Sequence, residues 1–239
     1  MNPAADTVRA RNMQKRRNRI LAEAGELLAH GGIEALNLRD LARMADVTVP
    51  TIYNLVGKKE DVFLALAADV LTEIEARITP TDDAEPLTIA TAVVIESTQL
   101  FAENENFYRA AFLAVEELDQ GGQHHDEVAR IYAWVEALIR LGIDACRRAQ
   151  LIRGRVPAAA MSQLATRNFR ISCRGWAFGH YSIDEFRSQA ISDLYITLAA
   201  DAVDTFHARL LRNISDITST PNNAPKINNM KRSKRGDLT

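Results

Sequence analysis

Cysteine is scarce in this chain. Cys146 and Cys173 are the only two among 239 residues, and neither forms a close pair with nearby histidines. That excludes a disulfide framework and a cysteine-rich zinc site. Proline is also sparse, at seven residues, and a 47% hydrophobic, 25% charged composition confines disorder to the ends. No apolar run approaches the ~18 residues of a spanning helix, and the polar, basic N-terminus has no signal-type segment, so a soluble, cytoplasmic chain is expected. Runs of alternating β-branched residues are missing, which leaves an all-α fold. Catalytic signatures are missing as well: there is no phosphate-cradling glycine loop, no dinucleotide motif and no nucleophile arrangement around Cys173, His180 or His207. His124, His125, Asp126 and Glu127 are adjacent in a glycine-rich loop, whereas ligands sharing an ion on a helix need a spacing of three or four. No enzyme, metal or cofactor is therefore expected.

What is present is helical periodicity with an uneven charge. Residues 1–60 carry ten Arg or Lys against seven Asp or Glu, residues 61–212 fourteen against twenty-two, and the tail five against two. Near-neutral overall, the chain thus has mildly basic ends on an acidic body. A flexible basic arm is expected over 1–14, a small helical head over 15–60, a larger helical body over 61–213 and an unstructured tail over 214–239. The first helix should run from Lys15 to His30, burying Ile20, Leu21, Ala24, Leu27 and Leu28, and stop at Gly31-Gly32. The polar stretch Thr79 to Pro86 reads as a loop. Long helices are then expected over Leu87–Glu103, Asn106–Leu118, Asp126–Ile152, Ser162–Gly179 and Ile183–Asn213.

Between residues 37 and 57 lie two short helices and a tight turn. Asn37 is a good cap for the first, Ala45-Asp46-Val47 makes the turn, and Thr48 caps the second, with Pro50 in its first turn where a missing N–H costs little. Such a pair is a compact device for presenting a helix to the DNA major groove. Leu38, Leu41, Ala42, Val47, Ile52 and Val56 face the core, leaving Val49, Pro50, Thr51, Tyr53 and Asn54 outward. Thr51 and Asn54 suit base edges, Val49 or Pro50 a thymine methyl, and Tyr53 or Asn37 a phosphate. Arg39, Arg43, Lys58 and Lys59 add charge on exposed faces, and Arg9, Arg11, Lys15, Arg16, Arg17 and Arg19 suit flanking phosphates.

The order and spacing of Ile20 to Leu28, Gly32-Ile33, Leu38-Arg39-Asp40-Leu41-Ala42, Ala45-Asp46-Val47-Thr48, Thr51-Ile52-Tyr53 and Lys59-Glu60-Asp61-Val62 resemble the DNA-binding domain of the TetR/AcrR family of transcriptional regulators. The resemblance implies phosphate contact by Tyr53 and Lys59, and groove reading by the helix from Val49 to Asn54. It departs from the family at Asn37, usually threonine, at Asp46, often glycine, at Pro50, usually small or polar, and at Leu55 and Val56, where histidine and phenylalanine are frequent.

For the body, spacing leaves open whether Phe169, Cys173, Trp176, Leu194, Leu198, Ala202 and Phe206 complete the chain's own core or form half of an intermolecular four-helix bundle. The resemblance implies the latter, a homodimer on a palindromic operator. It also implies a small-molecule effector held among the middle helices, for which Phe101, Phe107, Phe112, Tyr132, Trp134, Leu138, Arg174 and Phe178 are candidates. A repressor released from operator DNA by that effector is the expected function. Activation or ligand-independent regulation by the same fold, and a helical adaptor for protein partners, are the alternatives.

Overall fold

The computed structural model describes residues 3–78, 84–122 and 124–219. The side chain of Arg9, most of the loop expected over 79–86 and the basic tail beyond Ser219 lie outside the described residues. Ten helices follow one another among them: α1 (Pro3–Ala35), α2 (Leu38–Met44), α3 (Val49–Leu55), α4 (Lys59–Arg77), α5 (Pro86–Glu103), α6 (Glu105–Gly121), α7 (His125–Arg148), α8 (Ala158–Ala177), α9 (Ile183–Ala199) and α10 (Asp204–Ser219).

The basic arm is a correction: α1 begins at Pro3, because the Arg, Lys, Gln and Ala that follow are good helix formers and nothing interrupts them. The helix is broken near its end at Gly32, whose φ of 67° and ψ of −163° suit a residue without Cβ. Ile20, Leu21, Ala24 and Leu28 on α1 form one core with Leu41 of α2 and Ala45 just after it, Ile52 of α3, Val62 and Leu66 of α4, and Ala110 and Ala114 of α6. The head is therefore seated directly on the body through α6.

Two corrections concern the C-terminal half. The seventh helix stops at Arg148 rather than near Ile152, and the single long helix expected over Ile183–Asn213 is two, separated at residues 200–203. The segment after α7 is bound to that break. The N–H of Arg153 donates to the Asp201 carbonyl (2.7 Å), the N–H of Val203 to the Leu151 carbonyl (2.9 Å), and the buried Asp201 carboxylate accepts from the N–H groups of Gly154 (2.7 Å) and Arg155. No glycine or proline marks this break. Leu194, Leu198, Ala202, Phe206 and Leu210 keep their spacing across it because both helices bury onto the same core.

The dimer-forming role expected of the buried stripes is also corrected. Cys173, Trp176, Leu194, Leu198, Ala202 and Phe206 are all less than 5% exposed inside the single chain, and Phe169 is half-buried, so these side chains complete its own core. Periodicity shows which face of a helix leaves water but not what it meets.

Candidate nucleic-acid interface and internal cavity

The two short helices of the head are set by their caps. The Asn37 side-chain oxygen accepts from the N–H groups of Arg39 (3.1 Å) and Asp40 (2.9 Å), and its amide donates to the Asp40 carboxylate. Asn37 and the neighbouring Arg43 hold the Asp40 carboxyl below its usual range. Asn37 thus caps α2 with its side chain. The Thr48 hydroxyl accepts from the Thr51 N–H (3.3 Å) and pairs with the Thr51 hydroxyl at 2.8 Å, so both threonines are engaged at the start of α3.

Between the two helices Asp46 adopts φ 49°, the left-handed region that costs most non-glycine residues roughly 1 kcal/mol but that Asp tolerates. Arg19 compensates. Its guanidinium donates to the Ala45 carbonyl and to the Asp46 carbonyl (2.9 Å), and lies 3.3 Å from the Asp46 carboxylate. A cation just past the C-terminus of α2 is favourable for the helix dipole, and it locks the turn that orients α3. Sequence reading assigned Arg19 to flanking phosphates. The only local signal of this contact was an aspartate where glycine is usual.

On the outer face, Pro50, Tyr53 and Asn54 are exposed, with Tyr53 52% open to solvent. Val49 is half-buried and packs on the head core. Arg39 and Lys58 are exposed, while the Lys59 ammonium donates to the Ile33 carbonyl (3.3 Å) and lies 5.6 Å from the Phe63 ring centre. An open groove beside α3 is bounded by Lys15, Arg16, Arg19 and Arg43 together with Thr48 and Thr51. One surface therefore combines an exposed short helix with convergent cations, the requirements for positioning on phosphates and reading base edges.

A second feature lies in the body. A partly open cavity of about 90 Å³ is lined by α4 to α8, with Val70, Leu71 and Ile74 of α4 on one side and Phe101, Phe112 and Trp134 on others. At its edge the buried Glu116 accepts from Arg170 Nε (2.7 Å) and from the Tyr132 hydroxyl (2.7 Å), while Arg170 also bonds Asp119 (2.6 Å) and stacks over the Tyr132 ring at 4.2 Å. Arg170 holds the Asp119 carboxyl below its usual range. Burial, with Glu116 beside it, pushes the Tyr132 phenol and the Cys173 thiol upward.

Of the candidate cavity residues, Phe101, Phe112, Tyr132 and Trp134 line this space. Four others do not. Phe107 packs toward α1 at Gly25, Leu138 joins the core around α5 and α7, and Arg174 lies outside with Phe178, which is 54% exposed. Sequence reading missed Ser97, Tyr108 and Arg170. It placed Phe169 and Cys173 at an interface, whereas they too line the cavity. Among the described residues no group of three or more His, Cys, Asp or Glu is placed to hold a metal ion, and no helix is long and apolar enough to cross a membrane.

A capped helix-turn-helix with an exposed second helix and flanking cations is the geometry of a DNA-reading head. Residues 20–66 match the family described as bacterial regulatory proteins, tetR family, so the head is a TetR-family DNA-binding domain. Over 75–80% of the chain the fold is that of solved regulators. It resembles the fatty acid degradation regulator FadR from Bacillus halodurans (TM-score 0.62, 14% identity, covering 77% of this chain and 94% of that one). It also resembles SmeT, the repressor of the Stenotrophomonas maltophilia multidrug efflux pump SmeDEF (TM-score 0.59, 17% identity, 80% and 92%). A third likeness is to Bacillus subtilis FadR in complex with stearoyl-CoA (TM-score 0.58, 17% identity, 75% and 96%). Comparison with curated proteins finds no match to this sequence.

Proposed function

We propose that this chain is a homodimeric repressor that binds a palindromic operator on the bacterial chromosome and leaves it when a small molecule fills the cavity of the body. The observation that carries this reading is that α4 belongs to both parts. Its first turns, with Val62, Phe63 and Leu66, pack in the head core, and its later turns, with Val70, Leu71 and Ile74, form a wall of the cavity. A ligand that prefers a displaced α4 shifts the head away from its half-site, which is the differential affinity any such release requires. In functional terms the head is residues 15–60 and the effector-binding and dimerisation body 61–213. Tyr53, Asn54, Pro50 and Thr51 read or position on the groove, with Arg39, Lys58 and Lys59 on the backbone.

The two-fold contact is made by faces other than the buried stripes. Leu164 and Ile171 of α8 and Phe178 at its C-terminal cap, seven residues apart and 40%, 66% and 54% exposed, form an apolar line, with Ile196 of α9 also 58% exposed. Selection of bound duplexes from a random library at two salt concentrations tests the reading. A palindromic consensus is expected, with affinity falling steeply as salt rises. Tyr53→Phe combined with Lys58→Ala, both at exposed positions, should weaken operator binding while leaving thermal unfolding unchanged. Enrichment of no sequence at either salt would refute specific recognition and favour an adaptor for protein partners.

A further inference from the structure

The cavity wall narrows the chemistry of what fills it. Among the described residues Arg170 is the one cationic side chain lining the space, and its charge is already met by Glu116 at 2.7 Å and Asp119 at 2.6 Å. An anionic ligand would have to displace two carboxylates, and a cationic one would find Glu116 already engaged by Arg170 and Tyr132. Taking an uncompensated ion out of water costs several kcal/mol. Neither charge is welcome there.

The most deeply buried hydroxyl on the wall is unspent. Ser97 of α5 lines the cavity, is 1% exposed, and its hydroxyl has no hydrogen-bond partner among the described residues. Its neighbours on the same helix behave differently: Thr98 donates to the Val94 carbonyl (2.9 Å) and Thr91 to the Leu87 carbonyl (3.0 Å). No sealed side-chain nitrogen or oxygen among the described residues lacks a partner, so the Ser97 oxygen owes its freedom to the cavity it borders. A buried hydroxyl left unpaired is costly, and a ligand oxygen at this point restores the bond. At about 90 Å³ the space is smaller than the ~150 Å³ apolar cavity that accepts benzene, which limits the occupant to a handful of heavy atoms with modest side-chain movement.

We infer that the effector is a small, uncharged, mostly apolar molecule bearing a hydrogen-bonding oxygen that Ser97 receives. This rests on the reading of the cavity as the effector site. The class differs from the acyl-CoA thioester held by Bacillus subtilis FadR, which is long and highly charged.

Calorimetric titration of the full-length protein with cyclopentanol, cyclopentanecarboxylate, cyclopentylammonium and stearoyl-CoA tests it. Cyclopentanol should bind at least ten-fold more tightly than either ion of the same skeleton, and stearoyl-CoA should not bind. Ser97→Ala, which removes one oxygen and adds no bulk, should lower the cyclopentanol affinity by roughly two- to ten-fold, the loss of one neutral hydrogen bond, with unchanged thermal unfolding. Absence of cyclopentanol binding, an ion or the thioester binding as well as the alcohol, or an unchanged affinity in Ser97→Ala would each overturn the inference. Fluorescence anisotropy of the selected operator separates this outcome from the fate of the release mechanism. Cyclopentanol that binds without moving operator affinity refutes release and leaves the ligand class standing. Release by the carboxylate or the thioester supports the mechanism and refutes the class.

Discussion

Replacing Gly142 with alanine sets two opposing effects against each other, and the structure decides between them. In an isolated helix the change should stabilise by about 0.8–1 kcal/mol, the helix-propensity difference. Here Gly142 faces α5 at its closest approach, and a Cβ added there would lie 2.2 Å from Ala90 Cα, 2.7 Å from its nitrogen and 2.8 Å from its Cβ. Ordinary carbon–carbon contact is about 3.5–4.0 Å. The obstacle is backbone, which cannot rotate aside, so α5 and α7 must part by roughly 1 Å or more and loosen the packing of Ala90, Val93, Leu138 and Ile139 between them. Overpacking of this kind typically costs about 1–3 kcal/mol, and an immovable neighbour places it at or above the upper end. Net destabilisation of about 1–3 kcal/mol is therefore expected after the propensity gain.

Gly121→Ala is the control. It lies in the last turn of α6 with nothing within 4 Å of the added carbon, and should stabilise by about 0.4–1 kcal/mol. Urea unfolding followed by circular dichroism and tryptophan fluorescence, at one protein concentration, measures both. If Gly142→Ala proved as stable as Gly121→Ala, the close α5–α7 crossing would be wrong.

Asp201→Ala should destabilise by about 1–3 kcal/mol or more, because the amides of Gly154 and Arg155 lose their buried acceptor, and hydrogen exchange should quicken at those two residues. Arg19→Met should lower operator affinity by loosening the α2–α3 turn at a stability cost of only about 1 kcal/mol, since the side chain is 47% exposed. Its salt dependence should stay unchanged, whereas loss of a direct phosphate contact would lower the slope by about one. Burial pushes the Cys146 thiol up to about 12 and the Cys173 thiol well above its ordinary value, while unfolded thiols ionise near ~8.5. The folded chain then binds more protons above that pH, so the thiol contribution is constant below it and lost as pH rises, by up to about 1.4 kcal/mol per unit per thiol. Unfolding in urea with reductant between pH 8.5 and 9.5 should show this slope, and Cys173→Ala should roughly halve it.

The head was legible in the sequence because its determinants are local. Asn37 and Thr48 cap helices whose first N–H groups need acceptors, and Pro50 sits where its missing N–H costs little. The departure at Asp46 was visible too, but its partner Arg19, 27 residues earlier, was not, since nothing local to either residue refers to the other. In the body the same limit was more severe. Phe169 and Cys173 lie on a genuine buried stripe, yet the fold turns them toward a cavity within the chain.

The sequence by itself determined that the chain is helical, where most helices begin and end, and that a helix-turn-helix stands near its start. Those properties follow from steric and hydrogen-bonding rules acting within a few residues. Only the tertiary structure decided that α9 and α10 are separate, that the buried faces of α8 and α9 complete the chain's own core, and that Ser97 borders a cavity with its hydroxyl unspent. Burial of an apolar stripe is a demand any complementary surface can meet. Which surface meets it is settled by how ten helices pack at once.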